Sequence, residues 1–484
     1  MRNPAVSLKK SWRVPQFKQS QVPRNLFRFT DSAQLVDALS PLGEAIRRNA
    51  GPRAFLTLLE SSKAVVYECL AERVPSPTAA RALTLKVLNL CLARYHFTAR
   101  STEVYSKPLG LVVDPINNCN LACPGCVHSA RSTQEKLFQW NSGMLSEARF
   151  GALLRRYGVS ALEIMLCNYG EPLMNPLTPS FIRLARAYLM RTGLSTNMTV
   201  RRFDAQAYVD SGLDFMTLSL DGATQGVYEK YRRKGDLSMA FENIRKLVAA
   251  RREAGRSNPI LSWQFLAFEH NAHEIDDAIG IARQLGVDQF IVAMPFDVSW
   301  DDPGIHPAAG VEARVVPFTA DADRHMKENW LPFPDELRAA EIDAAFEAGW
   351  AGELARAAEV NGPRPSHSCH WLYRNLVMDA TGRVSPCCAA PKAGADLVFD
   401  ILPETDARDA FNSPKYRLAR TAFADPQAYP AAREKSGLAG DPYCVTCEWN
   451  QETAHTDNAQ VEQYLRTVPG SPFDAQSMGI LAGW

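Results

Sequence analysis

The stretch LGLVVDPINNCNLACPGC (residues 109–126) is an apolar strand pattern followed at once by three closely spaced cysteines. Further strand patterns follow at ALEIMLC, TGLST, FMTLSL, ILSWQFLAF and QFIVAM, with helical patterns between them. Strands that alternate with helices predict parallel βα units. Residues 108–297 are long enough for six such units but too short for an eightfold barrel. We therefore expect an α/β fold with a partial, open (β/α)6 barrel.

The cysteines of this stretch, Cys119, Cys123 and Cys126, lie after a strand, at the barrel rim where catalytic groups are usually found. A structural zinc site would need four protein ligands, and the local fourth candidate, His128, follows Cys126 too closely for good geometry. A four-iron cluster normally takes four cysteines, so three would leave one iron open. Spacing alone leaves a zinc loop as the alternative.

The composition of the 484-residue chain is that of an ordinary globular protein, with 53 basic and 53 acidic residues. A net charge of zero gives no sequence-wide reason to bind nucleic acid or an anionic membrane, so neither partner is expected. We find no apolar run of about 18 residues and no secretory signal, which predicts a cytoplasmic protein. In a reducing compartment, clustered cysteines favour metal binding. Cys69, Cys91 and Cys167 stand alone and are expected in the core.

The C-x3-C-x2-C spacing after the first strand resembles the radical SAM enzymes. Three further motifs support this resemblance: YGEP (169–172), STN (195–197) and SLDG (219–222) end the second, third and fourth strands. The resemblance implies that the three cysteines hold three irons of a [4Fe-4S] cluster and that S-adenosylmethionine (SAM) chelates the fourth. One electron then cleaves SAM, and the 5′-deoxyadenosyl radical abstracts a hydrogen from the substrate.

The resemblance also assigns the SAM contacts. Gly170, Glu171 and Pro172 match the family's Gly-Glu-Pro motif, which holds the methionyl amino group, and a carboxylate suits an ammonium donor. Arg232 or its neighbour Arg233 could pair with the methionyl carboxylate, with a solvated helix surface as the alternative. The other candidate SAM-binding residues are Ser195, Asn197, Ser219 and Asp221. No catalytic side chain is assigned.

A second cysteine group lies near the C-terminus. NLVMDATGRVSPC (375–387) is typical of a hairpin, and CVTC (444–447) supplies two more thiols. The group resembles the SPASM and twitch extensions of radical SAM enzymes, without the further downstream cysteines of a two-cluster SPASM region. We expect one auxiliary [4Fe-4S] cluster, and a four-cysteine zinc site is the alternative. Its expected ligands are Cys369, Cys387 or the adjacent Cys388, Cys444 and Cys447.

These patterns divide the chain into four expected regions. Residues 1–107 form a helical region of unassigned role, and residues 108–297 form the radical SAM partial barrel. Residues 298–365 form a loop-rich linker with possible substrate contacts at Trp300, His306 and Trp330, or a surface wrap over the barrel. Residues 366–484 form a small cysteine-rich α+β extension of the SPASM or twitch type.

The function implied is that of a radical SAM oxidoreductase acting on a peptide or a sugar-like small metabolite. Four protein thiols would leave the auxiliary cluster no open iron, which favours electron transfer from the substrate radical and hence net oxidation or crosslinking. An external electron donor such as flavodoxin or ferredoxin is expected. The alternatives are a radical SAM epimerase, an RNA-modifying radical SAM enzyme, for which the neutral charge is counter-evidence, and a non-catalytic zinc protein.

Overall fold

The computed structural model describes residues 33–124, 126, 128, 142–295, 304–319, 334, 336–361, 369–387, 400–404, 409–438 and 440–446. The strands are β1 (Gly110–Val113), β2 (Glu163–Met165), β3 (Arg191–Thr196), β4 (Phe215–Ser219), β5 (Ile260–Leu266), β6 (Gln289–Ala293), β7 (Arg314–Pro317), β8 (Asn375–Met378), β9 (Arg383–Ser385) and β10 (Asp400–Ile401). The helices are α1 (Ala33–Arg47), α2 (Pro52–Ala71), α3 (Pro77–Ala99), α4 (Glu147–Tyr157), α5 (Thr178–Ala187), α6 (Ala205–Asp210), α7 (Gln225–Tyr231), α8 (Leu237–Glu253), α9 (Ile275–Leu285), α10 (Ala339–Ala348), α11 (Ala351–Arg356), α12 (Trp371–Arg374), α13 (Pro414–Ala424), α14 (Tyr429–Ser436) and α15 (Tyr443–Thr446).

One sheet contains all these strands, in the order β10-β9-β8-β1-β2-β3-β4-β5-β6-β7. Strands β1 to β6 pair in parallel in chain order, and the sheet does not close on itself. This confirms the expected partial barrel of the α/β class. The short connections from helix to strand follow their sequence signals: α9, for example, ends at Leu285, and the Gly286 that follows has a φ of 79°, a conformation that favours glycine.

The two faces of the parallel strands differ in burial. One face packs against the surrounding helices through large apolar side chains such as Leu194, Met216, Trp263 and Phe290, all fully buried. The residues that alternate with them point into the barrel and are often only half-buried. The continuous core therefore lies between the sheet and its helices, and the inner face remains partly accessible to solvent.

Helices α1 to α3 form a second core at the amino ends of the barrel strands. Leu162, directly before β2, and Leu189, two residues before β3, belong to this core. In α3, Asn89 Nδ2 donates to the carbonyl of Lys107 at 3.0 Å, just before β1. The helical region thus covers the end of the barrel opposite to the cysteine loop.

The linker divides into parts with different positions. Helix α10 packs on α3, and Ile342 and Trp350 are buried among the N-terminal helices, which places residues 336–361 away from the rim. The substrate contacts expected of the linker stay a prediction. Residues 304–308 do lie at the rim, since Ala308 N donates to the carbonyl of Ala267 at 3.1 Å after β5. Strand β7, antiparallel to β6, was not expected.

The predicted C-terminal hairpin exists and extends the barrel sheet. Strands β8 and β9 pair antiparallel, and Gly382 in their turn has φ of 88°. Strand β8 also pairs in parallel with β1, with Val113 opposite Met378. The hairpin is therefore joined by backbone hydrogen bonds to the strand that precedes the cysteine loop. The boundaries of the four regions stay predictions.

Several sequence predictions fall outside the described residues: Trp300, Trp330, Cys388 and Cys447. Within the described part of the chain, no helix is both long and apolar enough to cross a membrane.

Candidate functional site

The three-cysteine loop lies on an apolar floor at the carboxyl ends of the strands. Cys123 is buried among Leu121, Tyr231, Phe268 and Ile305, and the half-buried Cys119 and Cys126 pack against the same cluster. The amide of Ala122 donates to the carbonyl of Arg233 at 3.1 Å, which fastens the loop to the segment after α7. The floor excludes water from one side of the loop.

The thiols of this loop are poorly solvated. Burial raises the pKa of Cys119 to about 12 and that of Cys123 to about 11. Metal ligation would therefore have to displace protons from these thiols. In the part of the chain described here, no three His, Cys, Asp or Glu side chains already form a metal-binding group. The three thiols are neighbours and would still have to converge on a metal.

The surroundings of the thiols fit a sulfur-ligated cluster. Asn197 Nδ2 lies 3.7 Å from Cys119 Sγ, and Arg232 Nη1 lies 3.9 Å from Cys123 Sγ, so both loop sulfurs have N–H donors beside them. Hydrogen bonds to sulfur tune iron–sulfur clusters. His128, considered as a zinc ligand, has Nε2 3.1 Å from the carbonyl of Tyr169, and so links the cysteine loop to the YGEP segment.

Glu171 is buried below the rim and already has several protein donors. Its Oε1 accepts from Leu173 N at 3.0 Å and from Thr196 Oγ1 at 2.7 Å, and its Oε2 accepts from Asn197 N at 2.8 Å. Burial raises the pKa of Glu171, while these hydrogen bonds oppose that shift. Three protein hydrogen bonds leave lone-pair capacity on Oε2 for one more donor. That capacity suits the predicted ammonium contact.

Gly170 and Pro172 flank Glu171 and shape its turn. A Cβ on Gly170 would lie 1.7 Å from the carbonyl oxygen of Ile116, so only glycine permits this close approach. Pro172 opens a single 3-10 turn, and its carbonyl accepts from Thr178 Oγ1 at 2.7 Å. The Gly-Glu-Pro segment is thus held in place by contacts within the chain itself.

Asn197, Ser195 and Ser219 lie at the carboxyl ends of β3 and β4. Asn197 Nδ2 donates to Asn120 Oδ1 at 3.0 Å, beside the cysteine loop. Ser195 and Ser219 have their hydroxyl oxygens 2.9 Å apart on the inner face. Cys167 joins them: its sulfur accepts from Ser195 N at 3.2 Å. Cys167 is therefore a half-buried inner-face residue. Cys69 is also half-buried, so neither is in the core as expected, while Cys91 is buried as expected.

Asp221 and Arg232 form an ion pair next to the cluster loop. Arg232 Nε lies 2.5 Å from Asp221 Oδ2, and the side chains are 14% and 0% exposed. Arg232 is therefore not on a solvated helix surface, whereas its neighbour Arg233, in the turn after α7, is exposed. Asp221 Oδ1 also accepts from Leu266 N at 2.7 Å, which fixes the pair against β5. An arginine held this way can present its remaining N–H groups to an anionic ligand.

Glu171→Gln is expected to weaken SAM binding by about 10- to 150-fold, because it removes the charge from an acceptor of an ammonium group. Glu274→Gln is the matched control: Glu274 is also buried and accepts from two backbone amides, of Ala223 and Thr224, and from the Thr224 hydroxyl. Equilibrium dialysis of SAM against iron-loaded protein measures the effect. Equal affinities in both variants and the parent would remove Glu171 from the SAM site.

Of the five candidate ligands of the auxiliary cluster, the structure describes Cys369, Cys387 and Cys444. Cys444 is buried in the main core, and half-buried Cys369 packs against that core. Cys387 follows β9, and both Cys387 and Cys444 lie near the buried Tyr416. Burial raises the pKa of Tyr416, and the two cysteines add smaller effects in the same direction. Because Cys388 and Cys447 are outside the described residues, the choice between Cys387 and Cys388 stays open.

Sequence analysis missed several polar residues of the site. Asp114 Oδ1 accepts from the amides of residues 168–170, and Asn117 Oδ1 accepts from Ala380 N in the hairpin turn at 2.8 Å. Asn120 Nδ2 donates to Thr199 Oγ1 at 3.0 Å. A buried strand that ends in Asp, followed by three Asn residues around the first cysteine, was a signal for a polar network. Nothing in the sequence identified its partners.

Comparisons with known proteins support two domains. Residues 113–261 match the family model described as the radical SAM superfamily, and residues 369–448 match the model of an iron–sulfur cluster-binding domain, SPASM. A probable GTP 3′,8-cyclase of Methanococcus aeolicus is 27% identical over 199 residues, or 40% of this chain and 60% of that protein. The chain thus spans less than two thirds of this relative.

Two further similarities cover more of the chain. The PqqA peptide cyclase of Rhizobium meliloti is 27% identical over 308 residues, or 62% of this chain and 72% of that protein. The solved structure of Streptococcus suis SuiB bound to S-adenosylmethionine is 15% identical, covers 84% of each chain and gives a TM-score of 0.40.

Proposed function

Because the chain carries a radical SAM domain followed by a SPASM iron–sulfur domain, we propose that it cleaves SAM reductively and oxidises a peptide substrate. The two domains imply a [4Fe-4S] cluster, SAM and auxiliary iron–sulfur ligation. Iron–sulfur ligation replaces the zinc site as the assignment of both cysteine groups. Cys119, Cys123 and Cys126 would hold the first cluster, and Cys369, Cys387 or Cys388, Cys444 and Cys447 one auxiliary cluster.

The observation that carries the substrate class is the uncharged part of the inner face toward the carboxyl ends of the strands; the charged Glu163 and Arg191 pair at its amino end. Ser195 pairs in register with Thr217, and Ser219 with Gln264, so these side chains share one face with Cys167. All five are half-buried and uncharged. Hydroxyl and amide groups suit the N–H and C=O groups of a peptide. A nucleoside triphosphate would instead require several cations.

The ion pair beside the cluster strengthens this choice. Arg232, next to Cys123, is already neutralised by Asp221, so it does not add net positive charge to the site.

Among the relatives, the PqqA peptide cyclase is named for a peptide and matches more of the chain than the GTP cyclase does. Both facts favour a peptide over GTP as substrate.

The proposed reaction is a two-electron oxidation. The bound cluster and SAM supply a 5′-deoxyadenosyl radical after one electron arrives from a flavodoxin- or ferredoxin-type donor. The substrate would lose one hydrogen atom to that radical, then one proton to solvent and one electron, for which an auxiliary cluster held by Cys369, Cys387 or Cys388, Cys444 and Cys447 would be the acceptor. A new double bond or crosslink forms with the loss of two hydrogens. The chain's residues orient the substrate and exclude water.

Deuterium transfer tests the substrate class. Short peptides encoded beside the gene are expressed in deuterated medium and presented to the reduced, iron-loaded protein with SAM, in parallel with deuterated GTP and a deuterated aminoglycoside-like sugar. We expect deuterated 5′-deoxyadenosine, measured by mass spectrometry, in a peptide reaction alone. Deuterium from GTP or from the sugar, with none from any peptide, would contradict the peptide assignment.

A further inference from the structure

Asp114 is a fully buried carboxylate at the end of β1, five residues before Cys119. Its Oδ1 accepts hydrogen bonds from three successive backbone amides of the next rim segment: Asn168 at 2.8 Å, Tyr169 at 3.0 Å and Gly170 at 3.1 Å. Such a series of amides around one oxygen is an arrangement that binds anions well. Here the anion is supplied by the chain itself.

These amides belong to the segment that carries Glu171. The same segment also touches the chain after β1 elsewhere: Glu171 N donates to the carbonyl of Asn118 at 2.9 Å, Gly170 lies against the carbonyl of Ile116, and His128 Nε2 lies 3.1 Å from the carbonyl of Tyr169. Of these contacts, the one to Asp114 is the only one that involves a charged group. Charge-assisted hydrogen bonds are roughly twice as strong as neutral ones. Asp114 thus dominates the attachment of the segment to β1.

We propose that Asp114 is a positioning residue for SAM: it holds residues 168–170 in the conformation that aims Glu171 at the methionyl amino group. This role rests on the proposed function, since it assumes that Glu171 contacts SAM. Asp114 itself would not touch SAM, because its side chain is fully buried and its Oδ1 is covered by the three amides. Asp114 acts on Glu171 through the backbone of residues 168–170, so its loss should lower the affinity for SAM.

Asp114 also connects residues 168–170 to the C-terminal hairpin. Asp114 N donates to the carbonyl of Met378, the last residue of β8, at 3.0 Å. One residue therefore contacts β8 through its backbone and the YGEP segment through its side chain. The Asp114 carboxylate therefore fixes residues 168–170 relative to β1, the strand that leads to the cysteine loop.

The test compares Asp114→Ala and Asp114→Asn with a control variant, Asp214→Ala. Asp214 likewise accepts from a backbone amide, Thr192 N at 2.7 Å, and from the Thr192 hydroxyl, but it does so at the amino ends of β3 and β4. Loss of Asp214 therefore costs fold stability without disturbing the rim. For each anaerobically reconstituted full chain, iron content, thermal unfolding, SAM affinity and the rate of 5′-deoxyadenosine formation at saturating SAM are measured.

We expect Asp114→Ala to weaken SAM binding by about tenfold or more, since a charge-assisted acceptor is lost, with iron content and the saturated rate near those of the parent. The SAM affinity of Asp114→Asn should lie between those of the parent and of Asp114→Ala, because an amide oxygen still accepts hydrogen bonds but carries no charge. Asp214→Ala should lower the unfolding temperature and leave SAM affinity unchanged.

Parental SAM affinity in both Asp114 variants, or an equal loss in Asp214→Ala, would overturn the positioning role. If Asp114→Ala fails to fold or to hold iron, the affinity of Asp114→Asn decides. The proposed function fails separately: a parent chain that holds its iron and does not bind SAM contradicts that function, whatever the Asp114 variants do.

Discussion

Replacing Cys119, Cys123 and Cys126 together by Ala should abolish reductive SAM cleavage and lower the iron content from about eight to about four per chain, the iron of one cubane cluster. The physical reason is that these thiols would be the protein's only bonds to the cluster whose open iron takes SAM. Their loop is anchored by backbone contacts, such as Ala122 N to the carbonyl of Arg233, that do not involve the thiols. The fold should therefore survive the change.

The control for this triple variant is Cys69→Ala, a half-buried thiol in the N-terminal helices far from the rim. It should keep the parental iron content and the parental yield of 5′-deoxyadenosine. Iron is measured by a colorimetric assay and 5′-deoxyadenosine by mass spectrometry on the same samples. Sustained SAM cleavage by the triple variant would show that the catalytic cluster is bound elsewhere.

Replacing Cys444 and Cys447 by Ala should leave SAM cleavage intact and abolish the oxidised product. Four protein thiols leave the auxiliary cluster no open iron. Its expected role is therefore to accept one electron from the substrate radical after hydrogen abstraction. Without that acceptor, 5′-deoxyadenosine should still form with a chemical reductant, and the substrate radical should be quenched without net oxidation. Product and 5′-deoxyadenosine are quantified in the same reaction.

The shared sheet makes a structural control essential for this second variant. Strand β8 pairs with β1, and Cys444 is buried in the same core as the barrel helices, so loss of the auxiliary cluster could disturb the first site. Circular dichroism, a remaining iron content of about four and parental SAM affinity must be established first. Parental product formation by such a folded variant would mean that the auxiliary cluster only stabilises structure.

The parallel strands were predictable because their signals are local. A buried parallel strand is a short apolar run, and each of the six such runs lies where the structure has a strand. The stop of α9 at Gly286 was predictable for the same reason, since a glycine at a helix end suits a positive φ.

The contacts that complete the site were not predictable, because they join residues far apart in sequence. The β8–β1 pairing connects residues more than 260 positions apart, such as Gly110 and Asn375. The partner of Asn117 depends on that arrangement and the side-chain partners of Asp114 depend on the β1–β2 pairing, and no short motif specifies them. The burial of Arg232 likewise follows from Asp221 and Cys123 lying beside it, which the helical pattern alone did not indicate.

The most direct test of the account is whether SAM binds the cluster held by the three-cysteine loop. Electron–nuclear double resonance of the reduced, iron-loaded protein, with SAM carrying ¹⁵N in its amino group and ¹⁷O in its carboxylate, measures this. The account predicts hyperfine couplings from both labels in the parent chain, and none in the variant lacking Cys119, Cys123 and Cys126. A reduced four-iron signal in the parent that shows neither coupling at saturating SAM would contradict it.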